Sequence, residues 1–212
     1  MTEYIKIPNI YKREEFGKNR LLIGEYSSPE LEYLAGCEWE WTEKVDGTNV
    51  RVCWDGYRVE FRGRTDKAQL PKGLVAVLNE KFGGPDKEEL FEQTFGQKEV
   101  ILFGEGCGGN IQGNNGYGDF QFILFDVMVG DLYLERQNMW AIATIFDVRH
   151  VPYAGSGTLI EAEEYIRSHP MSSLRDGELE GIVCRPMVEL KSRRGDRLIV
   201  KIKCRDFPKE DG

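Results

Sequence analysis

Polar and apolar positions alternate over residues 38–43, with Trp39 and Trp41 on one face and Glu38, Glu40 and Thr42 on the other. That pattern predicts a strand, and the strand runs into a turn at Val45-Asp46-Gly47. Segments 49–54 (NVRVCW) and 57–63 (YRVEFRG) flank Asp55-Gly56, a dipeptide suited to the positive φ of tight hairpin turns, so they are expected to pair. Apolar runs at 99–104 and 120–129 read as buried strands on either side of a glycine-rich loop, and 180–185 and 198–203 as two late strands. Helical periodicity covers 74–82, 87–95, 135–147 and 160–168. Strands cluster without regular alternation with helices, which predicts an α+β fold with mainly antiparallel sheets. No repeat, low-complexity tract or linker interrupts the pattern, so residues 1–212 are expected to form one domain.

Two local matches lead nowhere. Gly104-Glu-Gly106-Cys-Gly108-Gly109 satisfies GxGxxG, follows a strand and precedes Asp126 at the spacing of a dinucleotide fold. The chemistry of that fingerprint needs a helix to start at the glycines and point its N-terminus at a pyrophosphate. The next residues, NIQGNNGYGD, are too rich in glycine and asparagine to form one. Arg194-Gly195-Asp196 is a tripeptide of chance frequency.

Composition narrows the chemistry. The chain is 41% hydrophobic and 30% charged, which excludes a disordered chain. No apolar run approaches the roughly 20 residues of a membrane span, and the N-terminus lacks a signal-peptide core. A cytoplasmic protein without membrane association is expected. Cys37, Cys53, Cys107, Cys184 and Cys204 are scattered without a CxxC, so neither a disulfide framework nor a zinc site is expected. His150 and His169 are the two histidines, too few to favour a histidine-based triad, so chemistry should rest on Lys, Asp, Glu, Arg or a bound metal. A net charge of −8 argues against nucleic-acid binding over the whole surface but leaves room for a local basic groove. Arg51, Arg58, Arg62 and Arg64, then Lys191, Arg193, Arg194 and Arg197, are the candidates for one.

Lys44-Val-Asp46-Gly47 alone is a lysine beside a turn. Its company is more specific: Glu43 to Asn49 (EKVDGTN), Gly63-Arg64-Thr65, Phe103 to Gln112 (FGEGCGGNIQ), Phe122 to Val127 (FILFDV), Glu180 to Pro186 (EGIVCRP), and Arg197-x-x-x-Lys201-x-Lys203. In this order the motifs resemble those of the covalent nucleotidyltransferase superfamily: ATP-dependent DNA ligases, RNA ligases and capping enzymes. The closest likeness is to the RNA ligase 2-type family, the nick-sealing RNA ligases of phages and RNA-editing systems, and it covers roughly residues 37 to 207.

The resemblance implies a ligase adenylation-domain fold, antiparallel sheets flanked by helices around a nucleotide cleft. It implies ATP and Mg²⁺ (or Mn²⁺), and a nucleic acid with 5′-phosphate and 3′-OH ends, RNA by expectation, handled by a monomer. If phage-encoded, the protein would act in the host cytoplasm. Lys44 would be the nucleophile that takes AMP, with Asp46, Lys201 and Lys203 as catalytic partners. Asn49, Arg64, Lys201 and Lys203 would hold phosphates, Phe125 would stack on adenine, and Glu43 would contribute to the adenine pocket. Glu180 would hold the metal, and Glu105 the ribose or metal. Physical reasoning supports parts of this set. A free lysine is protonated at neutral pH, so a nucleophilic one needs neighbouring cations to lower its pKa. Lys201 and Lys203, two apart in a strand, share a face and could supply them. Glycine beside Glu105 and Glu180 is expected to let a ligand come close.

Two departures keep alternatives open. Asp46 stands where RNA ligase 2-type proteins usually carry histidine, and aspartate is the pattern shared with DNA ligases and capping enzymes. Nine residues follow Lys203, so no appended C-terminal OB or helical domain is expected. A DNA ligase, a GTP-using capping-type guanylyltransferase and a non-catalytic module that binds nucleic-acid ends remain alternatives.

Overall fold

The alternating segments become antiparallel sheets in the computed structural model, which describes residues 2–113 and 115–209. In chain order the elements are β1 (Tyr11–Arg13), β2 (Leu21–Tyr26), α1 (Pro29–Leu34), β3 (Trp39–Glu43), β4 (Thr48–Trp54), β5 (Val59–Gly63), α2 (Lys72–Phe82) and α3 (Pro85–Phe95). They continue with β6 (Val100–Cys107), β7 (Gln121–Val129), β8 (Leu132–Tyr133), α4 (Arg136–Ile145), β9 (Arg149–His150), β10 (Tyr153–Gly157), α5 (Leu159–Arg167), β11 (Gly181–Pro186) and β12 (Val200–Lys203). Contacts divide the chain into two compact units. One holds Val45–Val151 and the N-terminal segment through Ile5; the other holds Lys6–Lys44 and the chain from Pro152 onward. Among the described residues, no helix is long and apolar enough to cross a membrane.

The Val45–Val151 unit is built on a sheet of order β5-β4-β6-β7-β8, antiparallel throughout, with β9 added parallel to β7. The Asp55-Gly56 hairpin forms as expected: Asp55 accepts from the backbone N–H groups of Tyr57 and Arg58, and Gly56 takes φ +98°. Helices α2 and α4 pack against β7, and α2 against α3. Phe82 makes ring contacts with Phe91, Phe122 and Phe146, and Trp54 stacks on Phe91. Full burial of such rings, each removing roughly 150–250 Å² from water, makes this cluster a main source of the unit's stability.

Strand β6 runs past the end of its predicted 99–104 segment, continuing through Glu105 and Gly106 to Cys107. Gly104 and Gly106 are packing requirements. A Cβ at Gly104 would lie 2.2 Å from the Phe122 ring, and one at Gly106 would lie 2.3 Å from a Leu74 methyl. No helix follows; a short 3-10 turn at Ile111–Gly113 does. This is the physical reason that the GxGxxG match carries no dinucleotide site.

The second unit holds a sheet of order β10-β3-β11-β12 and the small hairpin β1-β2. Trp39 and Trp41 point into its core with Leu159, Ala162 and Ile166 of α5, Ile182 and Cys184 of β11, and Val200 and Ile202 of β12. Thr42 and Glu43 are buried as well, so the polar face expected of β3 is covered at its end. Helix α5 starts with a capping box in which Thr158 and Glu161 satisfy each other's backbone N–H groups.

Candidate active site

Lys44 follows the last residue of β3, and three features of the second sheet fix its surroundings. Its backbone N–H donates to the Gly181 carbonyl at 2.9 Å, so β3 is docked on the start of β11. Gly181 pairs with Lys203 and Val183 with Lys201, which brings β12 alongside. A Cβ on Gly181 would sit 2.1 Å from the Ile202 carbonyl oxygen. That glycine therefore admits the neighbouring strand and not a ligand, contrary to the sequence expectation.

The result is a carboxylate between two ammoniums. Glu180 accepts from Lys44 Nζ on Oε2 and from Lys203 Nζ on Oε1, both at 2.5 Å. The Glu180 and Lys203 side chains are 14% exposed and Lys44 22%. Burial acts to raise the Glu180 carboxyl, but the charge on Lys44 and the hydrogen bonds from Lys203 and Lys44 outweigh it, and its pKa lies below the ordinary value. Lys201 shares the Lys203 face of β12, as the spacing predicts, with Val200 and Ile202 buried on the other. Its pKa is pushed down to about 8, first by burial, then by the charges of Lys203 and Lys44.

That depression has a stability consequence. The folded value, about 8, lies below the ordinary 10.5, so between those values the unfolded chain binds more protons. Charged Lys201 costs stability below pH 8, and the cost fades as pH rises toward 10.5. Lys201→Met is expected to be more stable than the native chain in urea at pH 7, with the gap closing near pH 10. A variant less stable at pH 7 would contradict this.

Glu43, expected in an adenine pocket, has its carboxylate engaged elsewhere. It accepts from Ser172 Oγ at 2.8 Å, Ser173 N at 2.7 Å and Ser173 Oγ at 2.6 Å. The side chain ties the loop after α5 to the residue preceding Lys44. Hydrogen bonds to a charged group contribute about 1.5–3 kcal/mol each when a partner is lost. Glu43→Ala should therefore lower unfolding stability by about 3 kcal/mol with an unchanged urea m-value, and Ser173→Ala by less.

The remaining candidates lie in the Val45–Val151 unit. The turn carrying Asp46 is laced by the glycine-rich loop. Asp46 N donates to the Tyr117 hydroxyl, Asn115 Nδ2 donates to the Asp46 carbonyl at 2.8 Å and its carboxylate at 3.2 Å, and Gln112 Nε2 donates to the Gly47 carbonyl. Gln112 closes the Phe103 to Gln112 motif but had no role assigned there, and motif reading missed Asn115 and Tyr117; their amide and hydroxyl chemistry beside glycines was the available signal. Asn49 faces Glu105 across β4 and β6, and the Asn49 Oδ1 is buried without a hydrogen-bond partner among the described residues. Phe125 is the extra residue of a bulge, since Phe103 pairs with Asp126 and Gly104 with Leu124. Bulges re-aim side chains, and Phe125 stays half-buried, edge-on to Tyr4 at 4.9 Å. Arg64 is exposed just past β5.

Two members of the basic clusters are not surface groups. Arg51 is fully buried and donates to the Gly63 carbonyl, the Thr2 carbonyl and Asp66. Arg197 is buried in a two-pronged pair with Glu189. Their charge is used inside the fold, so neither can line a groove.

Glu180 offers hard carboxylate oxygens of the kind a divalent metal takes, and in the other unit Glu105 offers its own. Among the described residues no group of three or more His, Cys, Asp or Glu is placed to hold an ion by itself. A carboxylate such as Glu180 fits Mg²⁺ or Mn²⁺ held largely by water and nucleotide phosphates.

Comparison with known proteins bears on the family and the fold. A family model described as RNA ligase matches residues 37–203, across both units. Solved structures of Naegleria gruberi RNA ligase are similar in fold. An apo mutant superposes with a TM-score of 0.64 at 20% identity, over 84% of this chain and 53% of the other. A mutant with ATP and Mn gives 0.64 at 22%, over 95% and 57%. The enzyme with PPi gives 0.62 at 23%, over 82% and 52%. This chain thus spans about half the length of those ligases.

Proposed function

This chain belongs to the RNA ligase family, and on that premise we propose that it is an ATP-dependent polynucleotide ligase acting on RNA through a lysyl-AMP intermediate. The observation that carries the reading is the Lys44–Glu180–Lys203 arrangement with Lys201 beside it. The reading takes Lys44 as the nucleophile, Glu180 as the metal-capable carboxylate, and Lys201 and Lys203 as phosphate-binding cations, in the family's order along the chain.

In the proposed reaction, Lys44 Nζ sheds its proton and attacks the α-phosphorus of ATP. An N–P bond forms, the bond to the β-phosphate bridging oxygen breaks, and pyrophosphate leaves. A 5′-phosphate oxygen of the polynucleotide then attacks the same phosphorus, the N–P bond breaks, and Lys44 regains a proton. A 3′-OH attacks the 5′-phosphate, loses its proton and releases AMP. Each step is an in-line displacement in which the protein positions groups and neutralises charge.

Glu180 has one oxygen for each lysine. When Lys44 leaves Oε2, Lys203 still neutralises the carboxylate through Oε1, so freeing the nucleophile does not strand a buried charge. Lys201 and Lys203 supply cations for the triphosphate, Asn49 and Arg64 hold phosphates, Phe125 gives a face to adenine, and Asp46 acts from the turn beside the nucleophile. A divalent ion held by the Glu180 carboxylate would withdraw charge from the phosphates, and Glu105 keeps the ribose or metal role that the resemblance implies. Glu43 braces Lys44 from behind through Ser172 and Ser173.

The test is intact mass after incubation with ATP and Mg²⁺, followed by peptide mapping. One added AMP on Lys44, absent with GTP, supports the reading and separates it from capping chemistry. Sealing of a 5′-phosphorylated nick in RNA faster than in DNA supports the substrate. A chain that binds ATP and never gains AMP would instead be an end-binding module.

A further inference from the structure

The connection from β11 to β12 is an ordered arm. Lys191 and Arg197 form an antiparallel bridge, Leu198 N donates to the Leu190 carbonyl, and Ser192 N donates to the Asp196 carbonyl at 2.7 Å. The tip turns on Gly195 at φ +87°, with Ser192 Oγ accepting from the backbone N–H groups of Arg194 and Asp196. Arg197 and Glu189 neutralise each other at its base through two hydrogen bonds, at 2.5 and 2.9 Å. Above that base, Lys191, Arg193 and Arg194 are exposed with one carboxylate among them, Asp196. None of the three cations has an ion pair or side-chain hydrogen bond among the described residues. Arg194 acts weakly on half-buried Glu30, whose carboxyl is lowered first by backbone and Ser28 hydrogen bonds.

Three unpaired cations held on a folded turn are unexpected on a chain of net charge −8, unless an anion faces them. Flexible surface lysines would need no such scaffold. Gly181 pairs with Lys203, whereas Pro186 pairs with Trp39, so the arm leaves the sheet at the end opposite Lys44. Five residue steps at about 3.3 Å put roughly 17 Å of strand between that exit and the reacting lysine. An anion on the arm is therefore distinct from the nucleotide at Lys44. The polynucleotide supplies one in its phosphodiester backbone, away from the ends being joined.

We propose that residues 189–197 form a phosphate-binding arm that grips the substrate's backbone through Lys191, Arg193 and Arg194. The inference rests on the polynucleotide-ligase reading. The contact is with phosphate, so it is indifferent to sequence and to the 2′-hydroxyl, and its mark is salt dependence.

The test uses the full chain carrying Lys191→Ala, Arg193→Ala and Arg194→Ala together. Binding to a nicked duplex RNA with a 5′-phosphate, without ATP or metal so that no turnover occurs, is measured from low to moderate salt. Each lost phosphate contact reduces the slope of log K against log salt by about 0.9 on a duplex, so a fall of roughly 2 to 3 is expected. The same fall is expected on DNA, and Arg193→Lys with Arg194→Lys should retain the native slope. AMP adduct formation by the triple variant shows that it is folded. Native binding with an unchanged slope in the triple variant overturns the arm and leaves the ligase reading standing. A native chain that takes up no AMP and binds no polynucleotide overturns the ligase reading, and the arm with it.

Discussion

Lys44→Ala will take up no AMP from ATP, yet it will unfold in urea close to the native midpoint. Lys44 is the partly exposed member of its ion pair, and its loss leaves Glu180 still paired with Lys203. No buried charge is stranded, so the expected stability change is within about 1 kcal/mol. Lys44→Arg should restore the cation beside Glu180 and still form no adduct, because a guanidinium does not give up its proton at any working pH. The informative failure is an adduct that persists in Lys44→Ala. Lys201, with its pKa near 8, is the lysine on the same sheet best able to supply a neutral amine, and AMP mapped to Lys201 would transfer the nucleophile's role to it.

Glu180→Gln is expected to damage both activity and stability. The carboxylate is the counter-charge for Lys44 and Lys203, and Lys201 lies close enough for its charge to be felt. Its removal leaves three cations facing one another on strands whose other faces are core. Breaking a buried pair from one side costs about 3–5 kcal/mol, and the lower end is expected because the amide still accepts a hydrogen bond. Adduct formation should fall at least about a hundredfold, the scale of removing a preorganised electrostatic group from a reaction centre. The pH dependence gives a second readout. The Glu180 pKa is depressed in the fold, so its contribution is fully present above the ordinary 4.5 and is lost as pH falls through the folded value. The gap between native and Glu180→Gln stability should close in that acid window. A gap that persists unchanged below it would mean that the variant fails through packing, not through charge.

Legibility in the sequence followed the locality of the physics. The strand at Trp39–Glu43, the Asp55-Gly56 hairpin, and helices α2 and α3 were readable because alternation, a turn dipeptide and helical spacing act within a few residues. Strand β10 was not. Its sequence, YAGSG, has poor strand propensity, and its glycines make sense only once the Trp41 indole lies over them: a Cβ at Gly155 would be 2.8 Å from the indole nitrogen. The hairpin β1-β2 has short strands and an irregular register, and helix α1 spans six residues. For α1, Ser28 before Pro29 was a readable cap signal that the apolar pattern did not bring out.

By itself, the sequence determined the chemical identities: a lysine before a turn, carboxylates and lysines in a recurring order, and the α+β pattern. These depend on residue type and spacing, which a linear chain displays directly. Only the tertiary structure decided which charges are spent inside the fold, as with Arg51 on Asp66 and Arg197 on Glu189, and which are exposed on the arm. It decided that Gly181 admits a strand and that Glu43 binds serines. It also decided that Glu180 bridges two lysines from distant segments, Lys44 after β3 and Lys203 of β12. The contacts of Gly181, Glu43 and Glu180 depend on the register between segments far apart in sequence. Register is set by the burial of whole sheet faces, which no local pattern specifies.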